Sequence, residues 1–163
     1  MTQITSKENI AQFPQADNLD LVYQVFVELR EEGLNRYTFA EKYLISDRQG
    51  AYYLNALCFI GLAEKKGKNT FLTEQGKIIQ MLSDPFRKKV FLLAILENEL
   101  VCDTFHLCKG KDRAEQTEIA EVFIEGTYGI SEPVTRSRRA RTLLSWFRWI
   151  EQQEFYIEEH YNA

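Results

Sequence analysis

The sequence predicts a mainly α fold of two tandem helix-turn-helix units, with a small β-hairpin in the first, and three observations predict it. Polar capping residues recur just ahead of apolar stretches with helical spacing, in "TFAE", "SDRQ" and "FLTE". One pair of short strand-like runs flanks the turn Gly67-Lys68-Asn69. An internal echo relates "FAEKYLIS" and "YYLNALCFIGL" to "IAEVFIEGTYGIS" and "RTLLSWFRWIEQ", each pair a short Ala-Glu helix, an Ile-Ser turn and a longer aromatic helix.

Residues 1–17 are polar and aperiodic and are read as an N-terminal arm ahead of a first unit, residues 18–83. In "NLDLVYQVFVELREEG", Leu19, Val22, Val25, Phe26 and Leu29 recur at helical spacing, and Gly33 supplies a stop. Thr38 and Glu41 have the spacing of a capping box that opens a short helix through about Tyr43. Ser46 and Gln49 repeat the device and open a helix to about Ile60, completing a helix-turn-helix. Next, "LAEKKGKNTFLTEQGKIIQML" predicts a strand, a turn, a second strand and a helix capped by Thr73 that runs to about Leu82. Helix, helix, helix, hairpin, helix is the order of a winged helix. "FLTEQGK" resembles the strand-to-helix exit of bacterial winged-helix proteins, a resemblance that covers residues 19–82.

The second unit, residues 84–163, opens with Pro85 in the first turn of a helix. "VCDTFHLCKG" is a further helix ending at Gly110, "KDRAEQ" a loop, and roughly Glu118 to Glu125 another helix. After the turn "GTYGISE", Pro133 opens a long helix, and "QEFYIEE" reads as a strand. Too little chain follows for a full wing, so the second wing is read as truncated.

The long helix carries "TRSRRARTLLSWFRWI", which concentrates Arg136, Arg138, Arg139 and Arg141 in a chain whose net charge is −4. At about 100° per residue, Leu143, Phe147 and Ile150 share a packing face with Ala140 nearby. Arg138, Arg141, Ser145 and Arg148 fall on the opposite face, with Thr142 and Trp149 along its edge. A stripe of guanidinium and hydroxyl groups suits a helix laid against DNA, where Arg pairs bidentately with guanine or phosphate. Arg136 and Arg139 point elsewhere, towards flanking phosphates or a carboxylate of the protein. Glu151, Glu154, Glu158 and Glu159 follow at once and could instead cover the stripe. Trp146 is read as core, and Trp149 as either core or a stacking surface.

In the first unit, Ala51, Leu54, Leu57 and Cys58 face inward, while Arg48, Gln49, Tyr52 and Asn55 face outward with types suited to base edges and phosphates. Lys65, Lys66 and Lys68 on the wing can track a phosphate backbone.

Other chemistry finds little to build on. Cys102, His106 and Cys108 lie close together, but zinc needs a fourth ligand and a second pair at knuckle-like spacing. Glu64-Lys65-Lys66 has the Glu-x-Lys of magnesium-dependent nucleases, without the strand-borne Asp that such sites require. Glu118, Glu121 and Glu125 share a solvated helix face, and no phosphate-binding Gly-rich loop or nucleophile elbow occurs. No cofactor and no catalytic constellation are expected. Three cysteines without a disulfide framework, no apolar signal-peptide core and no apolar run near ~18 residues fit a cytoplasmic protein that does not enter a membrane.

Taken together, "AYYLNALCFIGLAEKKGKNTFLTEQGKIIQML" and "TRSRRARTLLSWFRWI" resemble the winged-helix modules attached to bacterial restriction-modification proteins, over about residues 19–152. The resemblance implies a recognition or accessory subunit that binds double-stranded DNA, with a nuclease or methyltransferase as partner and a homodimer as one form. The alternative is a winged-helix protein-interaction or dimerisation module that does not bind DNA; a nuclease with a divergent site is a third reading.

Overall fold

Among the residues that the computed structural model describes, 13–162 with side chains through residue 154, eight helices and one two-stranded antiparallel sheet are formed. Residues 1–12, most of the expected arm, lie outside the described residues, as do the side chains of Glu158, Glu159 and His160. The remainder of the expected arm is packed on the fold, with Phe13 and Ala16 fully buried.

Helix α1 (Leu19–Glu28) starts where Asn18 Oδ1 accepts the Leu21 N–H at 3.2 Å. It stops short of the expected Gly33 because the chain must turn towards the hairpin. Gly33 closes that turn with φ +76°, and Leu34 then exchanges N–H···O bonds of 2.9 and 2.8 Å with Thr70. Helix α2 (Arg36–Tyr43) is capped by Asn35 rather than Thr38. Asn35 Oδ1 accepts the Tyr37 and Thr38 N–H groups at 3.0 and 2.9 Å, and Thr38 sits at the third helical position, where its hydroxyl accepts the Asn35 N–H.

Helix α3 (Asp47–Ile60) has the expected Ser46–Gln49 capping box, with bonds of 3.2 and 3.3 Å. It crosses α2 at Gly50, where a Cβ would stand 2.7 Å from Arg36 O. Strands β1 (Ala63–Lys66) and β2 (Asn69–Leu72) pair Ala63 with Leu72 and Lys65 with Thr70. Helix α4 (Glu74–Gln80) is capped by Thr73, whose hydroxyl accepts the Gly76 N–H at 3.0 Å.

The second half is helical throughout: α5 (Phe86–Leu96), α6 (Glu99–Cys108), α7 (Arg113–Tyr128) and α8 (Pro133–Asn162). Two expectations are corrected here. "KDRAEQ" is mostly helix, because Asp112 Oδ1 accepts the Glu115 N–H at 2.9 Å and starts α7 five residues early. "QEFYIEE" continues α8 rather than forming a strand, so no second wing, truncated or whole, appears among the described residues.

The echo survives as turn geometry. Tyr43-Leu44-Ile45-Ser46 and Tyr128-Gly129-Ile130-Ser131 join α2 to α3 and α7 to α8, and both place their second residue in the left-handed region, at φ 57° and 67°. One core nonetheless runs through both halves. Phe91 of α5 lies 5.7 Å from Phe26 of α1 and 5.8 Å from Trp149 of α8. At the junction, the Tyr23 hydroxyl donates to Asp84, and Arg87 Nε donates to Tyr23 Oη at 2.9 Å.

Candidate nucleic-acid interface

Helix α8 is buried around most of its circumference, since Ala140, Thr142, Leu143, Leu144, Trp146, Phe147, Trp149 and Ile150 are all buried. Part of this reflects packing on α5 and α7. Another part comes from an unexpected occupant, the segment 13–20, which lies along the edge of the face that the spacing of residues assigns to DNA and takes up Ser145. Trp146 Nε1 donates to Ala16 O at 2.7 Å, Ser145 Oγ to Asp17 O at 2.7 Å and Trp149 Nε1 to Asp20 Oδ1 at 2.8 Å. The Thr142 hydroxyl donates to the Asp17 carboxylate, and Arg139 to Phe13 O. The Phe13 ring is inserted between α3 and α8, 5.3 Å from Phe59 and 5.0 Å from Trp146. Both tryptophans are therefore core.

Four candidate residues are thereby engaged inside the chain. Ser145 and Arg139 hold the segment. Arg136 pairs with Glu125 at 2.9 Å, the carboxylate alternative. The Gln49 amide oxygen is committed to the α3 cap. Arg138, Arg141 and Arg148 stay exposed. Glu151 and Glu154 do not cover them, because α8 continues straight past the stripe and Glu154 faces Lys109 at 3.9 Å.

Residues of α3 and α8 meet through Tyr52. Arg48 Nε donates to Tyr52 Oη at 2.6 Å, and Tyr52 in turn lies within electrostatic reach of Arg139. Burial holds the Arg139 guanidinium below its ordinary pKa; Tyr52 raises it, and the neighbouring Arg138 lowers it further. Arg139 thus faces α3, whereas Arg138, Arg141 and Arg148 share the exposed side of α8. On the wheel of α3, Arg48 and Asn55 form the exposed face. Tyr52 and Phe59 lie on its α8 side and Ala51 on its hairpin side, at about 100° per residue.

The hairpin sorts its charges by strand alternation. Lys65 and Lys68 line a cleft of about 380 Å³ beside α3, which Arg36 and Tyr37 of α2 also line. Glu64 and Lys66 turn to the other face, where they form an ion pair at 3.4 Å, so Lys66 leaves the candidate surface. Arg36 and Tyr37 escape the sequence reading because that reading starts α2 at Thr38; Asn35 as the cap would have exposed them.

Cys108 is buried, Cys102 half-buried and His106 exposed, and among the described residues no three His, Cys, Asp or Glu side chains converge as metal ligands. No described helix is long and apolar enough to cross a membrane. No curated protein and no solved structure matches the chain. Residues 21–154, which run from within α1 to α8 and so include every element of the candidate surface, match the family described as Domain of unknown function (DUF7226), and the chain belongs to that family.

Proposed function

We propose that the chain is a double-stranded-DNA-binding module of the winged helix-turn-helix kind, in which α3 enters a major groove. Arg48, Tyr52 and Asn55 would meet base edges and nearby phosphates. Lys65 and Lys68 would hold the flanking backbone, with Arg138, Arg141 and Arg148 on α8 reaching phosphates further along. The observation that carries the reading is the outward face of α3, which stands beside the hairpin lysines Lys65 and Lys68. Among the described residues, none of Arg48, Lys65, Lys68 and Arg138 forms an ion pair. A surface that keeps its cations unpaired is prepared for an external anion, and a local basic face can act so in an acidic chain. Without a catalytic constellation, the module would serve as a recognition or accessory subunit beside a nuclease or methyltransferase in the cytoplasm.

The test is duplex binding as a function of salt. Each phosphate contact adds about −0.9 to the slope of log K against log[salt], so changing Arg48, Lys65, Lys68 and Arg138 to Ala should reduce its magnitude by up to about 3.6. All four side chains are exposed, so the thermal midpoint should hardly move. No binding to mixed duplexes at low salt would sink the proposal. The interaction-module reading has its own support in α4, where Ile78 is 66% and Met81 86% exposed. It predicts self-association or partner capture that Ile78→Ser and Met81→Ser abolish and the four cation changes leave intact.

A further inference from the structure

We infer that the cleft between α2, α3 and the hairpin is a nucleotide site. It would take a nucleoside phosphate, with the phosphate on Arg36, Lys65 and Lys68 and the base against Tyr37 and the floor formed by Ala51 and Leu54. Its volume of about 380 Å³ falls in the range of small-molecule clefts, roughly 300–1,000 Å³.

Three features select this ligand class. First, among the described residues no carboxylate lines the cleft and none of its three cations forms an ion pair, although the adjacent Lys66 does. Like charges gathered around a concavity repel one another until an anion neutralises them. Second, Tyr37 is 59% exposed on the rim, and the Arg36 guanidinium carbon lies 5.4 Å from its ring centroid. An aromatic ring beside a guanidinium is a surface on which bases stack. Third, the floor is apolar, so inorganic phosphate would satisfy the cations and leave the floor wet, while an uncharged ring would leave the cations unmet. A planar ring joined to a phosphate answers both. It can arrive as a free nucleotide or as one unit of a single strand. A duplex keeps its bases stacked inside, so the inference does not rest on the proposed duplex binding.

Calorimetric titration of the full chain with the four deoxynucleoside monophosphates, inorganic phosphate, deoxyadenosine and a single-stranded oligothymidylate tests it. At least one monophosphate, or the oligothymidylate, should bind at least tenfold more tightly than phosphate or deoxyadenosine. Lys65→Ala/Lys68→Ala and Tyr37→Ala should each lose at least fivefold, while Tyr37→Phe and the charge-matched Lys111→Ala/Arg113→Ala retain binding. Binding of a mononucleotide assigns the site to a free nucleotide; binding of the strand alone assigns it to a strand. Phosphate binding as tightly as every nucleotide, indifference to Tyr37→Ala, or no binding by mononucleotides and strand alike overturns the inference. Nucleotide binding in a chain that ignores duplexes would sink only the proposed function, and duplex binding without any nucleotide site would sink only this inference.

Discussion

Replacing Phe13 with Ala tests whether the segment before α1 holds the arginine helix in place. The Phe13 ring is fully buried and contacts Phe59, Trp146 and Tyr128 at centroid distances of 5.3, 5.0 and 6.4 Å. Truncating such a ring costs about 3–5 kcal/mol, of which each aromatic pair can supply about 0.5–1.5 kcal/mol. Peeling the segment away limits the loss, because water would then reach the donors of Thr142 and Trp146 that otherwise lose their acceptors. With a urea slope of about 2 kcal/mol per molar, the midpoint should fall by about 1.5–2.5 M. That is a large share of the roughly 5–15 kcal/mol that holds a domain together. Trp146 and Trp149 are the only tryptophans in the chain, and both donate to the segment. Urea melts followed by tryptophan emission and by circular dichroism therefore report the segment and the fold separately. A stability loss below about 1 kcal/mol with native tryptophan emission would refute the argument.

Two further substitutions read other parts of the structure. Leu44 holds φ 57° with its side chain 91% exposed, so Leu44→Gly relieves left-handed strain at little cost in burial and should raise stability by about 1 kcal/mol in a urea melt. Burial first, and then the hydrogen bond to Asp84, push the Tyr23 phenol up to about 12 from an ordinary 10. A raised folded pKa means that this contribution is complete below pH 10 and is lost as pH climbs towards 12. Tyr23→Phe should therefore be less stable than the parent at pH 7, with the gap narrowing above pH 10 in melts taken across that range; a constant gap would count against it.

The elements legible in the sequence were those whose ends are fixed locally. The Ser46–Gln49 box, the Thr73 cap and the Gly67 turn are decided by residues within a few positions of one another, and each boundary stands within one or two residues of its expected place. The Asn35 and Asp112 caps are equally local and are passed over, whereas other failures arise where a distant partner decides. Leu34 pairs with Thr70 across the fold, and so α1 ends early. Phe13 and Ala16 lie in a polar stretch without a period, and only α3 and α8 together make a slot for them. The wheel of α8 correctly separated Leu143 and Phe147 from Arg138, Arg141 and Arg148. It could not show that a hydroxyl and two indoles on the polar side are matched to the carbonyls and carboxylates of a segment more than a hundred residues away.

Charge segregation, rather than net charge, then governs how a polyanion could approach. On the far face of the hairpin, Glu28, Glu31, Glu32, Glu64 and Glu74 line a groove of about 850 Å³. Of the groove's cations, Lys66 and Lys77 are spent on Glu64 and Glu74. On the α3 side, Arg48, Lys65 and Lys68 form no ion pair among the described residues. The two-stranded sheet thus separates a glutamate-lined groove from the cleft with Lys65 and Lys68, with Lys65 and Glu64 adjacent in the chain and opposed in space. A duplex would be attracted by one face and repelled by the other. On the proposed reading this enforces a single docking orientation, and it makes the front cations matter more than their number relative to the 24 acidic residues would imply. Neutralising Glu64 and Glu74 with Gln should then raise the rate of association at low salt while leaving the salt slope unchanged, since neither carboxylate displaces a counterion from DNA. A changed slope would mean that the back face touches the duplex and that the division of charge has been misread.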